Sequence, residues 1–261
     1  MRIAAARVLL TGAGGGIGQA MAERLRASGA AVLSVGRRAP NPADEAWVQA
    51  DLLRADGRAA VLAAAQRWRP NVVVQAAGLP GFGRIGQLDP LAMQQMLELN
   101  LLVPMLLSQA LLPLLRAQGA AQLVFVGSAL GRIGLPGFSA YGASKAGLHA
   151  FAEALRRELA GSSVLVQLLA PRATRTAFND AAVEAYNERT GTTSDPPARV
   201  ADALVRLIES EAAERTIGFP ERLGVRLNPL LGPLLDGSFA KQRQALDALP
   251  LNPPPTPRGS A

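Results

Sequence analysis

Short apolar runs alternate along this chain with longer stretches in which apolar residues recur every three or four positions. Runs at residues 7–10, 31–35, 47–50, 71–75, 123–126, 163–169 and 216–219 have the length and apolar character of buried strands. Helical spacing fills the intervals up to residue 28 and over 57–68, 89–118, 141–160 and 200–211. Stop and start signals agree with these limits: Gly29 follows the first helix, Pro70 the second, and Asp89 with Pro90 caps the third. Strands that alternate with helices predict a doubly wound α/β fold, a parallel sheet of about seven strands with helices on both faces. No internal repeat or interdomain linker breaks the pattern, so one domain is expected over residues 1–220. Residues 221–250, a leucine- and arginine-bearing extension, are expected to pack on that domain or on an oligomer partner. The proline-rich residues 251–261 read as a disordered tail, and residues 40–42 as a turn.

The candidate chemistry sits where predicted strands end. Residues 11–18, T-G-A-G-G-G-I-G, lie between the first strand and its helix. Glycines there permit a tight turn and a close approach of backbone to a pyrophosphate, whose charge meets free helix N–H groups. The second strand ends in Gly36-Arg37-Arg38, where many dinucleotide-binding folds carry a carboxylate for the ribose hydroxyls. Two guanidiniums in its place suit a 2′-phosphate and favour NADP(H) over NAD(H). The fourth strand runs into Ala76-Ala77-Gly78, small residues that let a flat ring or ribose lie near the backbone.

Residues 128–145 carry the sharpest signal. Tyr141 and Lys145 are four apart at a helix start, on one face, and Ser128 follows the strand at 123–126. Only two lysines occur in the chain, Lys145 and Lys241, among many arginines, so position 145 has kept the compact ammonium. A Y-x-x-x-K pair alone is more often an exposed helix pair; the glycine loop and Ser128 change that reading. His149 shares the face but recedes from the strand ends, and is read as a packing or subunit-contact residue. Polar, irregular residues from about 172 to 199 are long enough to form a loop and short helix that act as a substrate lid.

Composition narrows the class further. Cysteine is absent and there is one histidine, which argues against thiolate and histidine-rich metal sites, and no metal is expected. A reducing, cytoplasmic setting fits, and the first residues show no secretory pattern. The apolar region 97–115 is interrupted by Asn100, Pro104, Ser108, Gln109 and Pro113, too polar to span a bilayer. The net charge is +7, but the arginines are scattered and aromatics make up only 4%, so nucleic acid is not an expected partner. The leucine-rich stretch at 223–235 leaves membrane association open.

Taken together, T-G-x-x-x-G-I-G, Ser128 and Y-x-x-x-K resemble the short-chain dehydrogenase/reductase family of single-domain, Rossmann-like oxidoreductases, over roughly residues 5–220. The resemblance implies that Tyr141 exchanges a proton with a carbonyl or alcohol oxygen while hydride moves to or from nicotinamide. It implies that Lys145 lowers the phenol's pKa and holds the nicotinamide ribose, that Ser128 positions the substrate oxygen, and that Asn100 holds a water in a proton relay. Gly12, Gly16, Ile17, Gly18, Ala77, Gly78, Pro171 and Thr176 correspond to cofactor contacts, Asp51 and Leu52 to adenine contacts, and Arg37 and Arg38 to the phosphate clamp. Two departures stand out. Gln75-Ala76 replaces a pair of asparagines, which should cost the sheet side-chain bracing, and Arg172 replaces a glycine, where it would crowd or contact the nicotinamide end. A hydrophobic carbonyl or alcohol substrate and a homodimer or homotetramer are expected; a non-catalytic dinucleotide sensor or scaffold on the same fold is the alternative.

Overall fold

The computed structural model describes residues 1–38, 46–219 and 221–249. Seven strands form one parallel sheet: β1 (Arg7–Thr11), β2 (Ala31–Gly36), β3 (Trp47–Gln49), β4 (Val72–Gln75), β5 (Ala121–Val126), β6 (Val164–Ala170) and β7 (Glu214–Thr216). Their order is β3-β2-β1-β4-β5-β6-β7. The strand order reverses between β1 and β4, so a crevice opens beyond their C-terminal ends. That end of the sheet receives every loop on which the candidate chemistry sits.

Alternation along the strands sends side chains to two cores. Leu9, Val73, Leu123, Phe125 and Leu168 face one side, under α2 (Ala55–Trp68) and the long helical region that follows β4. Val8, Leu10, Val74, Val124 and Leu169 face the other, under α1 (Gly16–Ala27) and a helix later in the chain. Burial on both faces explains why these strands read as continuous apolar runs rather than alternating ones.

The expected single helix over 89–118 is in fact three pieces: α3 (Pro90–Leu97), a π-helical turn (Glu98–Leu102) and α4 (Val103–Arg116). Pro104 supplies the reason, since it lacks the N–H that would bond the Asn100 carbonyl in α register. Asp89 caps α3 as expected, accepting from the amides of Leu91 and Ala92. By length and composition Pro90–Arg116 could cross a membrane, despite its polar interruptions. Its inner side, with Val103, Leu107, Leu111 and Leu115, is nonetheless packed into the core. The outer side shows Leu91, Leu97 and Leu102.

α5 (Ser139–Glu158) lies on the same face as α4, and α7 (Pro197–Ser210) packs on α1. α6 (Ala181–Thr190) is the one helix of the expected lid. The last strand ends at Thr216 rather than continuing through 219, because Gly218 takes a φ of +104° that breaks the extended backbone. The extension forms α8 (Glu221–Leu235) and α9 (Ala240–Asp247). Asn228 of α8 donates to the Arg132 carbonyl at 2.8 Å, and Asp247 of α9 pairs with Arg84. The expected turn at 40–42 and tail at 251–261 lie outside the described residues.

Candidate active site

Beyond the strand ends lies a cavity of about 1950 Å³. Every residue assigned from the sequence to cofactor binding lines it, and so does Ser128. Its floor is the turn from β1 into α1. Gly12 has a φ of +73°, and a Cβ there would meet the Ala77 backbone at 2.7 Å. A Cβ on Gly18 would fall 2.1 Å from the Gly12 carbonyl. The two glycines are therefore needed for the turn to close against β4 and against its own helix. Thr11 completes the brace, its hydroxyl accepting from the amides of Ala76 and Ala77.

At the far end of the cavity Arg37 and Arg38 stand exposed after β2, with Asp51 and Leu52 after β3. Asp51 accepts from the Leu53 amide at 3.1 Å, which turns its carboxylate back into its own loop. Thr176 approaches from the opposite wall, since a Cβ on Gly16 would sit 2.8 Å from its methyl group.

At the near end, β5 and the start of α5 bring three side chains together. Ser128 begins a 3-10 turn at Ala129–Gly131, and its hydroxyl accepts from the Leu130 amide at 3.1 Å. Lys145 is buried; its ammonium donates to the Val126 carbonyl at 3.1 Å and stands 5.9 Å from the centroid of the Tyr141 ring. Burial pushes the Tyr141 phenol up to about 12, and hydrogen bonding to Ser128 draws it back. Burial pulls the Lys145 ammonium down to about 8. At neutral pH the protein alone thus holds a protonated phenol beside a cation.

Asn100 lies behind this group, on the π-helical turn. Its oxygen accepts from the Leu79 amide at 2.8 Å, while its NH2 donates to the Leu79 carbonyl and to Ser144. The side chain therefore clamps the loop after β4 to α5. A Cβ on Gly78 would lie 3.0 Å from the Asn100 oxygen and 3.7 Å from the Lys145 nitrogen, so the two residues are neighbours.

His149 is buried behind Ser128. Arg132 Nε donates to its Nδ1 at 3.1 Å, so Nε2 carries the proton and donates to the Ser128 carbonyl, also at 3.1 Å. Burial and the Arg132 charge hold its pKa down at about 4. The ring is a neutral brace of the Ser128 backbone, a packing role with a closer tie to the site than its position in the sequence suggested.

One expectation from the departures is corrected. Gln75 does brace the sheet: its amide donates to the Pro104 carbonyl and to Ser108, joining β4 to α4 where asparagines were missing. Arg172 lines the cavity, and its guanidinium makes two bonds to Asp195, at 3.0 and 2.8 Å. Asp195 also accepts from Arg199 at 2.9 Å and is only 2% exposed. Burial alone would raise its pKa, but the bonds and charges of Arg172 and Arg199 outweigh it and leave the carboxyl below its ordinary value. Backbone bonds Asp195–Ala173 and Arg175–Asp195 run beside the ion pair. One carboxylate thus fastens both feet of the loop that carries α6.

Sequence reasoning missed Asp195 altogether, and it missed an aromatic wall. Phe82, Phe138 and Tyr186 pack mutually with ring centroids 4.8 to 5.8 Å apart. Tyr141 touches this group through Phe138 and has Phe178 on its other side. The signal was available: in a chain poor in aromatics, both tyrosines and Phe82, Phe138 and Phe178 fall in the three segments that follow β4, β5 and β6. Leu227 and Leu235 of α8, then Phe239 and Gln242, extend the same lining.

The short chain dehydrogenase family model matches residues 6–187, and the chain belongs to that family. The uncharacterized oxidoreductase YbbO of Escherichia coli strain K12 is 33% identical over 182 residues, 66% of this chain and 67% of its own. Among solved structures, a short chain dehydrogenase from Burkholderia cenocepacia in complex with NADP superposes with a TM-score of 0.78 at 23% identity, over 92% of this chain and 100% of its own. A 3-ketoacyl-(acyl-carrier-protein) reductase from Brucella melitensis complexed with NADH does so at 0.73 and 23%, over 84% and 99%.

Proposed function

We propose that this oxidoreductase uses NADP(H) to interconvert a hydrophobic carbonyl compound and its secondary alcohol. The observation that carries the reading is the convergence of Ser128, Tyr141 and Lys145 at one end of a cavity whose other end holds Arg37 and Arg38. The cradle between them fits a dinucleotide: Gly12 and Gly18 leave no room for side chains, and the α1 amides meet a pyrophosphate. When bound, the cofactor supplies or accepts the hydride.

Tyr141 donates its proton to the carbonyl oxygen in reduction and takes it back in oxidation. Ser128 donates to the same oxygen and holds it against the phenol. Lys145 orients the nicotinamide ribose and stabilises negative charge on Tyr141 as the proton leaves. Asn100 keeps the loop after β4 and α5 in register around them. Arg37 and Arg38 grip the 2′-phosphate, and their guanidiniums are what supports NADP(H) over NAD(H). The aromatic wall and the leucines of α8 favour an apolar substrate. Exposed Leu91, Leu97 and Leu102 favour assembly as a homodimer or homotetramer, and a cytoplasmic setting suits the cysteine-free chain.

The test is fluorescence titration of the wild type and Arg37→Ala with NADPH and NADH, followed by turnover of apolar ketones. NADPH should bind more tightly, the gap should shrink in the variant, and Tyr141→Phe should lose turnover while keeping the cofactor. Tighter NADH binding overturns the cofactor assignment, and undiminished turnover in Tyr141→Phe overturns the mechanism.

A further inference from the structure

A second cavity, of about 470 Å³, lies between α7, the end of β7 and α8. Arg199 and Arg206 reach it from α7, Arg215 from β7 and Arg226 from α8. Among the described residues no carboxylate lines it, and it shares no lining residue with the large cavity. Arg199 is engaged by Asp195. Arg206, Arg215 and Arg226 have no ion pair among the described residues, and Arg215 Nε is buried without a hydrogen-bond partner. Ala203 and Ile217 give the cavity an apolar part, and the Phe219 ring stands 78% exposed at its edge.

Guanidiniums gathered around one cavity repel each other, and a buried N–H without an acceptor is a cost that folding avoids elsewhere. A single anion removes both penalties. The planar forks match phosphate oxygens in pairs, and the cavity volume falls within the range of small-molecule sites, about 300 to 1,000 Å³. We propose that this cavity is a binding site for a small phosphorylated ligand with at least two negative charges, separate from the site where the dinucleotide is expected. Three cations without an ion pair among the described residues set the charge requirement, and Phe219 offers a face to an apolar or flat group attached to the phosphate.

Pyrophosphate is the probe, titrated calorimetrically into the full chain with NADPH at saturation so that the α1 amides are already occupied, and with inorganic phosphate as the weaker comparison. Arg206→Gln/Arg226→Gln should weaken pyrophosphate binding by about tenfold or more, as expected for losing charge-assisted bonds, and Arg37→Ala/Arg38→Ala should leave it unchanged. Both positions in the first variant are exposed, so its melting temperature should match the wild type. No binding, or binding lost through Arg37→Ala/Arg38→Ala and kept in the other variant, overturns the proposal. Vesicles of phosphatidic acid, a phosphomonoester that can carry two charges, and of phosphatidylcholine separate the sources. Sedimentation with the anionic vesicles alone, abolished by Arg206→Gln/Arg226→Gln, supports the arginine site with a lipid phosphate as occupant.

Discussion

The ammonium of Lys145 lies 5.9 Å from the centre of the Tyr141 ring and is tied to the carbonyl of Val126 at the end of β5. The tether fixes the cation by the strand rather than by the phenol, so its position does not depend on the protonation state of Tyr141. It also sets how the pair should respond to substitution. Tyr141→Phe removes the proton donor alone, and turnover should fall by about 10² to 10⁴. Lys145→Arg keeps a charge but not its shape at a buried position, and should fail to restore activity. Steady-state kinetics with parallel cofactor titration separates the two effects.

Acidity gives a second expectation. Lys145 titrates at about 8, so raising the pH through that value removes the cation beside the phenol. Tyr141, pushed up to about 12, stays protonated over the same range. The rate of carbonyl reduction should therefore be level below pH 8 and decline above it, with no matching loss from the phenol. A profile of kcat/KM between pH 6 and 10 checks this.

The buried clasp on the lid loop should be visible in stability. The side chains of Arg172 and Asp195 are 11% and 3% exposed, so Asp195→Ala removes a buried carboxylate that two guanidiniums share, at a cost of about 3 kcal/mol. The pH dependence has a definite sign. The folded carboxyl lies below its unfolded pKa, so its contribution is present above the unfolded value of 3.8 and is lost as pH falls through the lower folded value. Urea unfolding of the wild type and Asp195→Ala at pH 7 and pH 3 should show the gap closing at the lower pH.

His149 offers a test of positioning. His149→Phe removes the bonds to Ser128 and Arg132 while keeping a buried ring. Cofactor affinity should hold while kcat falls, since the Ser128 backbone loses its brace; His149→Gln, able to donate to the same carbonyl, should recover part of the loss. Equal behaviour of the two variants would leave His149 with packing alone.

Much of the fold was readable because its strands are buried on both faces and its helices end at glycine, proline and aspartate. The sheet, the glycine turn and the Ser128, Tyr141 and Lys145 cluster all depend on such local signals. Long-range pairing was not readable. Nothing near Arg172 in sequence announces Asp195, which lies 23 residues away, and nothing near Gln75 announces the carbonyl of Pro104. The broken helix around Asn100 was half legible: Pro104 stands in the sequence, but the hydrogen-bond register it imposes on the turn before it depends on the packing of both helical pieces.

The double fastening at Asp195 has one more consequence. Since Ala173, Arg175 and Asp195 are joined by backbone bonds beside the ion pair, the chain between them is a ring closed at its neck. The entropy of closing such a ring changes by only about 0.6 kcal/mol when its length doubles. The segment that follows Thr176 can therefore lengthen or shorten at little cost at the neck, provided that Tyr186 keeps its place against Phe82 and Phe138, while β6, α7 and the strands beneath keep theirs.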